Sequence, residues 1–364
     1  MPFSPEPSPF QMHRLGQIME PTPGDPKEVG GVLNPAAARG PDGQLYLFPR
    51  IVGEGNFSRI GIARVVFDAA GDPVGVERLG IALEPEADYE FVGDGRGGCE
   101  DPRISYVEPR GHYVMTYSAL GPHGPRVALA HSDDLIHWTR VGLARFHDYK
   151  DVSFVGVANK DPALFPATVN DPDGVPSIVL AHRPMFSQVP GFDKTQAHAA
   201  MSDDDLECIW LSYWHVHPDM MKPSRRQFVA HRRLARPQAE WENAKIGTGA
   251  PPVRCRHGWL MVYHGVSHET DPSVSARGLV YRAGVMILDE HEPHRILYRS
   301  PEAVLGPDDP AEQHGVVDAV VFPSGIDRRD DIGQPDRYDV YYGMADYSVG
   351  VARLIVPETL PSKR

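Results

Sequence analysis

The chain has 364 residues, 41% hydrophobic and 23% charged, a balance that supports a sizeable buried core and excludes disorder of the whole chain. Its formal net charge of −13 comes without a basic stripe or a run of Lys and Arg, so nucleic acid is not an expected partner. The 35 glycines and 36 prolines are spread between short β-rich runs instead of forming one block, which implies many strands and many turns.

In chain order, residues 1–30 are Pro-rich and read as an N-terminal extension. A first sheet-forming unit begins at Asn34-Pro35 and carries QLYLFPRI and SRIGIARVVF. The second, from Asp101 to Gly142, is the clearest, with ISYVE, HYVMTYSAL and RVALAHS; β-branched and aromatic residues dominate its middle run between Gly111 and Gly121. The third starts at Lys160-Asp161-Pro162 with ALFPATV, SIVLAHRP and AHAAMS, and is followed by a polar stretch, 188–242, that reads as a rim insertion. The fourth starts near Gly247 (PPVRC, WLMVYHGV, LVYRAGVMILD), the fifth near Gly315 (VVDAVVFP, YDVYYGMAD, VGVARLIVP). Five such units suggest radial repetition of small antiparallel sheets, so the expected fold is all-β, a single five-bladed β-propeller domain over 1–364. Long amphipathic helices do not alternate with the strands, which disfavours a doubly wound α/β fold.

Cys99, Cys208 and Cys255 are odd in number and not in CxxC spacing, so neither a disulfide framework nor a zinc knuckle is expected, and a reducing compartment fits better. Prolines interrupt the N-terminus where a signal peptide needs an apolar core, and no stretch approaches the ~18 apolar residues of a membrane span. The expected location is cytoplasmic, with no membrane partner. The rim insertions are candidate contacts for a homo-oligomer, although they carry no heptad or apolar stripe that decides assembly.

In a propeller the inner strands start near the central channel, so polar residues at the unit starts converge although far apart in sequence. GGCEDPR places Glu100, Asp101 and Arg103 at one start, where the plain alternative is a turn. NKDP adds Lys160 and Asp161, HRP adds His182 and Arg183, and KIG and YHG add Lys245, Tyr263 and His264, each singly more often a rim charge or a satisfied core residue. The HxH of His215 and His217 lacks ligand-spaced carboxylate or Cys companions, so a solvated loop is expected and no metal is assigned. GDGRGG (93–98) lacks the following helix of a nucleotide loop, and a flexible loop before Asp101 is expected.

Taken together, GGCEDPRI (97–104), NKDPALFP (159–166), HRP (182–184), KIGTGAPP (245–252), GWLMVYHGV (258–266), YRAGVMILD (281–289), VVFPSG (320–325) and YYGMAD (341–346) resemble glycoside hydrolase family 130, the β-mannoside phosphorylases and related mannosidases. The resemblance implies a five-bladed propeller with its active site at the channel mouth. Asp101 resembles the family's single catalytic acid; Asn34, Arg50 and Asp346 resemble residues around the mannosyl group, and Glu100 and Asp161 are further substrate-binding candidates. Lys160, Arg183, Lys245, His264 and Tyr281 resemble the phosphate site. Lys160 stands where some members have arginine, which keeps charge but gives up bidentate geometry, and Glu100 departs from members with tyrosine before the acid.

An inverting hydrolase needs two carboxylates about 6.5–9.5 Å apart, whereas phosphate needs no base and must be held by cationic groups. One acid plus a basic cluster therefore favours phosphorolysis of a β-mannoside oligosaccharide to α-mannose 1-phosphate, with inorganic phosphate as co-substrate and no other cofactor. The competing readings are a β-mannosidase using a carboxylate such as Glu54, Asp88 or Glu312 as base, and a non-catalytic carbohydrate-binding propeller. As an acid Asp101 is expected to have a raised pKa, with Arg103 turned away from its carboxylate to brace the sheet.

Overall fold

The computed structural model describes residues 8–361 apart from 94, 151, 187–206 and 218–226. The described chain is all-β, with strands in four hydrogen-bonded sheets. A nine-stranded sheet consists of two antiparallel halves. Gly31–Arg39, Leu45–Val52, Phe57–Phe67 and Pro73–Leu83 form one half, and the short Phe91–Gly93 with Arg96–Val107, His112–Gly121, Gly124–Ser132 and Thr139–Leu143 the other. Among the described residues only the parallel pairs Phe57 with Gly97 and Ser58 with Gly98 join these two runs. A six-stranded sheet begins at Ala158–Leu164 and continues through Pro176–Met185, Ile209–His215 and Gln227–Ala235. A five-stranded sheet pairs Lys245–Thr248 and Val253–Cys255 with Gly258–His268, followed by Leu279–Leu288 and Ile296–Arg299. The last sheet runs Val321–Arg329, Gln334–Met344, Ser348–Ile355 and, outermost, Met12–Met19.

The core lies between successive sheets and, in the nine-stranded sheet, between its two halves. Phe48 and Ile60 pack with Met115 and Tyr117, and Val114 and Leu129 with Leu180 and Trp214. Val179 and Leu211 pack with Trp259 and Met261, and Leu260 and Val285 with Val340 and Leu354. Val349 and Val351 then meet Leu47 and Val65 of the first strands, so chain end and chain start share one cluster. A middle strand such as Gly258–His268 is buried on both faces, which explains its unbroken apolar run.

Two expectations about organisation are corrected. The segment 188–242, read as a rim insertion, contains Ile209–His215 and Gln227–Ala235, which are sheet strands pairing with Pro176–Met185 and with each other. The extension 1–30 contains Met12–Met19, paired antiparallel with Ser348–Ile355. Met12–Met19 and Gln227–Ala235 carry exposed polar and charged residues that diluted the apolar signal, whereas Ile209–His215 is buried up to His215 and its apolar run was overlooked inside a polar stretch. The run AHAAMS, read as a strand, lies outside the described residues. Among the described residues no helix is long and apolar enough to cross a membrane.

Candidate active site

Three strands enter the centre of the molecule with the same local device. Asn34, Asp101 and Asp161 each precede a proline and adopt left-handed backbone, with φ of 45°, 47° and 55°. At each the strand register slips, between Leu33 and Ala36, between Glu100 and Arg103, and between Lys160 and Ala163. Proline has no N–H to give to a ladder, so the pairing breaks there and the strand bulges. Left-handed backbone costs a non-glycine residue about 1–3 kcal/mol, and Asn and Asp tolerate it best. The strain re-aims three polar side chains into one cavity of about 350 Å³. Asp346, at φ 50° after the strand Gln334–Met344, lines the same cavity.

Of the residues singled out in the sequence, Asn34, Arg50, Asp101, Lys160, Asp161, Arg183, Lys245, His264, Tyr281 and Asp346 all line this cavity. Glu100 does not. It is buried below, accepting from Arg50 Nη2 at 2.7 Å and from Lys160 Nζ at 3.2 Å, so it orients two cations instead of facing a sugar. The candidate hydrolytic bases are also absent from the lining. Glu312 is enclosed and accepts from Arg14 Nε at 2.8 Å and Tyr342 Oη at 2.9 Å, while Glu54 and Asp88 lie on short 3-10 turns.

Asp101 Oδ1 accepts from Asn34 Nδ2 at 2.9 Å and from Arg50 Nη1 at 3.4 Å. Burial pushes its carboxyl up, but Arg50, Lys160 and Arg103 outweigh this and hold it below the usual carboxylate range. The raised value expected for an acid is therefore not found. Arg103 is turned from that carboxylate: Nη1 donates to the Asp101 carbonyl at 2.6 Å and Nε to the Gly249 carbonyl at 2.9 Å, tying neighbouring sheets together. Asp346 is the carboxyl that is raised, to about 6, by burial and, against the pull of Arg50, by the charge of Asp101.

The cationic side is assembled from two further sheets. Arg183 donates through Nε to Asp161 at 2.7 Å and through Nη1 to Glu207. Burial raises the Asp161 carboxyl, but Arg183, His264 and Arg103 overcome it and keep Asp161 well below the ordinary range, a fixed anion. Lys245 Nζ sits 5.6 Å from the centre of the Tyr281 ring and 4.0 Å from Glu207. His264 stacks at 4.5 Å on Phe322, and burial pushes its imidazole down to about 3, so it is neutral at physiological pH. Neither of its ring nitrogens has a hydrogen-bond partner among the described residues. A neutral imidazole has one N–H to donate, and that unpaired buried donor beside Lys160, Arg183 and Lys245 suits an oxyanion ligand.

Sequence reasoning missed Glu207, Arg277 and Phe322. Glu207 and Arg277 lie beside strands instead of in them, with no periodic pattern to mark them, and Phe322 reads as core. His182 is not part of the cavity: it joins a buried chain in which Nε2 meets Ser212 Oγ at 2.7 Å and Ser212 Oγ meets His231 Nδ1 at 2.7 Å. His215 pairs with Asp171 at 3.0 Å, and no group of three metal-ligating side chains exists among the described residues.

The arrangement can hold a neutral polyol beside Asp101, Asn34, Arg50 and Asp346, and an anion among Lys160, Arg183, Lys245, His264 and Tyr281. A family model described as beta-1,4-mannooligosaccharide phosphorylase matches residues 10–361. The chain is 29% identical over 333 residues to a 1,2-beta-oligomannan phosphorylase of Thermoanaerobacter sp. (strain X514), covering 90% of each. It is 36% identical over 260 residues to a beta-1,4-mannooligosaccharide phosphorylase of Ruminococcus albus, covering 71% of this chain and 63% of that one. A beta-1,2-mannobiose phosphorylase structure from Listeria innocua superposes with TM-score 0.67 at 21% identity, over 95% of this chain and 97% of that one.

Proposed function

The chain belongs to glycoside hydrolase family 130, and from that membership we propose that it is an inverting β-mannoside phosphorylase built as a five-bladed propeller. For the blade count, the support is the closed circuit of apolar clusters, with the nine-stranded sheet taken as two blades joined by two residue pairs. For phosphorolysis, the observation that carries the reading is the convergence of Lys160, Arg183, Lys245, His264 and Tyr281 in the cavity that contains Asp101.

The terminal mannosyl group lies against Asn34, Arg50 and Asp346, and Asp101 supplies the proton for the departing oxygen. Phosphate, held by the basic cluster, attacks the anomeric carbon from the opposite face; the glycosidic bond breaks, the leaving sugar takes the proton, and α-mannose 1-phosphate forms. A phosphate anion among Lys160, Arg183 and Lys245 opposes the positive field that keeps Asp101 ionised, so co-substrate binding moves the acid toward its working form. Hydrolysis is the less suited chemistry. Asp161, a cavity carboxylate on the phosphate side, is bound to Arg183 and too weak a base to activate water.

Lys245→Ala tests the phosphate role with little structural cost, since the nearest carboxylate to Lys245 is 4.0 Å away. Loss of a charge-assisted contact of about 1.5–3 kcal/mol raises KM for phosphate roughly 10–100-fold. KM for the mannoside should change little. A variant in which the two constants rise together, or neither rises, counts against phosphate at this position.

A further inference from the structure

Two buried imidazoles, His182 and His231, take no part in the chemistry assigned to the cavity. Both belong to one hydrogen-bonded chain that crosses the six-stranded sheet. Asn159 on Ala158–Leu164, His182 on Pro176–Met185, Ser212 on Ile209–His215 and His231 on Gln227–Ala235 stand on four successive strands. Asn159 Nδ2 lies 2.9 Å from His182 Nδ1, and His182 Nε2 lies 2.7 Å from Ser212 Oγ. Ser212 Oγ is 2.7 Å from His231 Nδ1, and His231 Nε2 is 2.7 Å from the carbonyl of His147, an exposed residue. The four side chains themselves are buried. Burial holds both imidazoles below their ordinary pKa, His231 at about 4, so each is neutral and carries one proton.

The carbonyl at the far end fixes where those protons lie. It can only accept, so His231 bears its proton on Nε2 and accepts at Nδ1 from the Ser212 hydroxyl. Ser212 then accepts from the N–H of His182 Nε2, which leaves His182 Nδ1 to accept from the Asn159 amide. Asn159 Oδ1 is the more distant of the two amide atoms, at 3.2 Å. All the bonds therefore run in one sense, and the hydroxyl and all four ring nitrogens are used, an arrangement that favours one rigid geometry.

The inner end of this chain meets the weakest joint of the phosphate side. Lys160 and Arg183 are register partners on the two inner strands. Pro162 and Pro184 flank them without an N–H to give, and the register slips between Lys160 and Ala163, so ladder bonding is thinnest at this pair. Asn159 immediately precedes Lys160, and His182 immediately precedes Arg183. Their side-chain bond thus spans the two strands where the backbone ladder fails. Successive residues face opposite sides of a strand: Lys160 and Arg183 line the cavity, and Asn159 and His182 do not. We propose that the chain Asn159–His182–Ser212–His231 is a brace of positioning residues that fixes Lys160 against Arg183 at the spacing phosphate requires. It rests on the β-mannoside phosphorylase reading.

The experiment measures calorimetric affinity for inorganic phosphate and, separately, for β-mannobiose in the wild-type protein, Ser212→Ala and Ser212→Thr. Ser212→Ala removes only the hydroxyl at the middle of the chain and should weaken phosphate roughly 3–10-fold, the scale of one ordinary hydrogen bond, with mannobiose affinity unchanged. Ser212→Thr keeps the hydroxyl and should restore phosphate affinity. Long-range proton–nitrogen correlation spectra of the wild-type protein add a readout that needs no variant to fold: His182 and His231 should both be neutral with the proton on Nε2. A proton on Nδ1 of either ring overturns the brace, as does a Ser212→Ala protein in which phosphate and mannobiose weaken alike. Wild-type protein that does not bind phosphate contradicts the phosphorylase reading and the brace with it, whereas firm wild-type binding left unchanged by Ser212→Ala contradicts the brace alone.

Discussion

Asp101 and Asp346 face one cavity with opposite proton affinities: burial pushes both carboxyls up, but Arg50, Lys160 and Arg103 together overcome it at Asp101, whereas it prevails at Asp346. Replacing Asp101 with Asn removes the proposed proton source and should lower turnover on the order of 10²–10⁴-fold, as for a general acid, with the thermal midpoint retained. The folded value of Asp346, about 6, lies above the 3.8 of a free carboxyl, so the folded state is favoured while the group is protonated, and that advantage is lost as pH rises from about 4 through about 6. Asp346→Asn should therefore raise the thermal midpoint at pH 8, leave it nearly unchanged at pH 4, and weaken mannoside binding at both. An unchanged midpoint at pH 8 would show that the carboxyl is not paying for its burial. These residues were legible in the sequence because each stands in a short rigid context, NP, EDP, KDP or MAD, that breaks an apolar strand. Glu207 and Arg277 were not, since an isolated charge outside a strand looks like any solvated residue until the fold brings Arg277 to the cavity wall and Glu207 to Arg183.

At the scale of the element, the bulged inner strands and the glycines beside them set the site. Gly247 is such a position: a Cβ there would fall 2.4 Å from Asp161 Oδ2 and 2.4 Å from the His264 ring. Both are held by buried neighbours, so Gly247→Ala should displace the anion site, raising KM for phosphate more than KM for mannoside in steady-state kinetics. Arg103 has the complementary role. Its removal leaves the carbonyls of Asp101 and Gly249 without this donor, at about 1–3 kcal/mol for each buried group left unpaired. Arg103→Met should therefore lower the unfolding free energy in urea titration. The central strands were readable from sequence because burial on both faces leaves long apolar runs such as HYVMTYSAL. MHRLGQIM and QFVAHRRLA were passed over for the converse reason: exposed polar and charged residues interrupt the apolar run of each.

For the whole molecule the decisive join is between chain end and chain start. Met12–Met19 completes the sheet of Ser348–Ile355 and, with Phe10 just before it, buries Phe10, Met12, Ile18 and Met19. At roughly 1.5–3 kcal/mol per side chain, these four represent about 6–12 kcal/mol, comparable to the whole stability of a typical protein of about 5–15 kcal/mol. Deleting residues 1–20 should therefore abolish cooperative thermal unfolding and leave insoluble protein. The closed circuit is what allows residues from 34 to 346 to share one cavity, and the reaction assigned to that cavity is open to a direct check. Purified protein is incubated with β-mannobioses and mannooligosaccharides of each linkage, with and without inorganic phosphate, and the products are resolved by anion-exchange chromatography and phosphorus NMR. The account predicts α-mannose 1-phosphate formed only when phosphate is present, with negligible free mannose from the non-reducing end; free mannose released at the same rate with and without phosphate would contradict it.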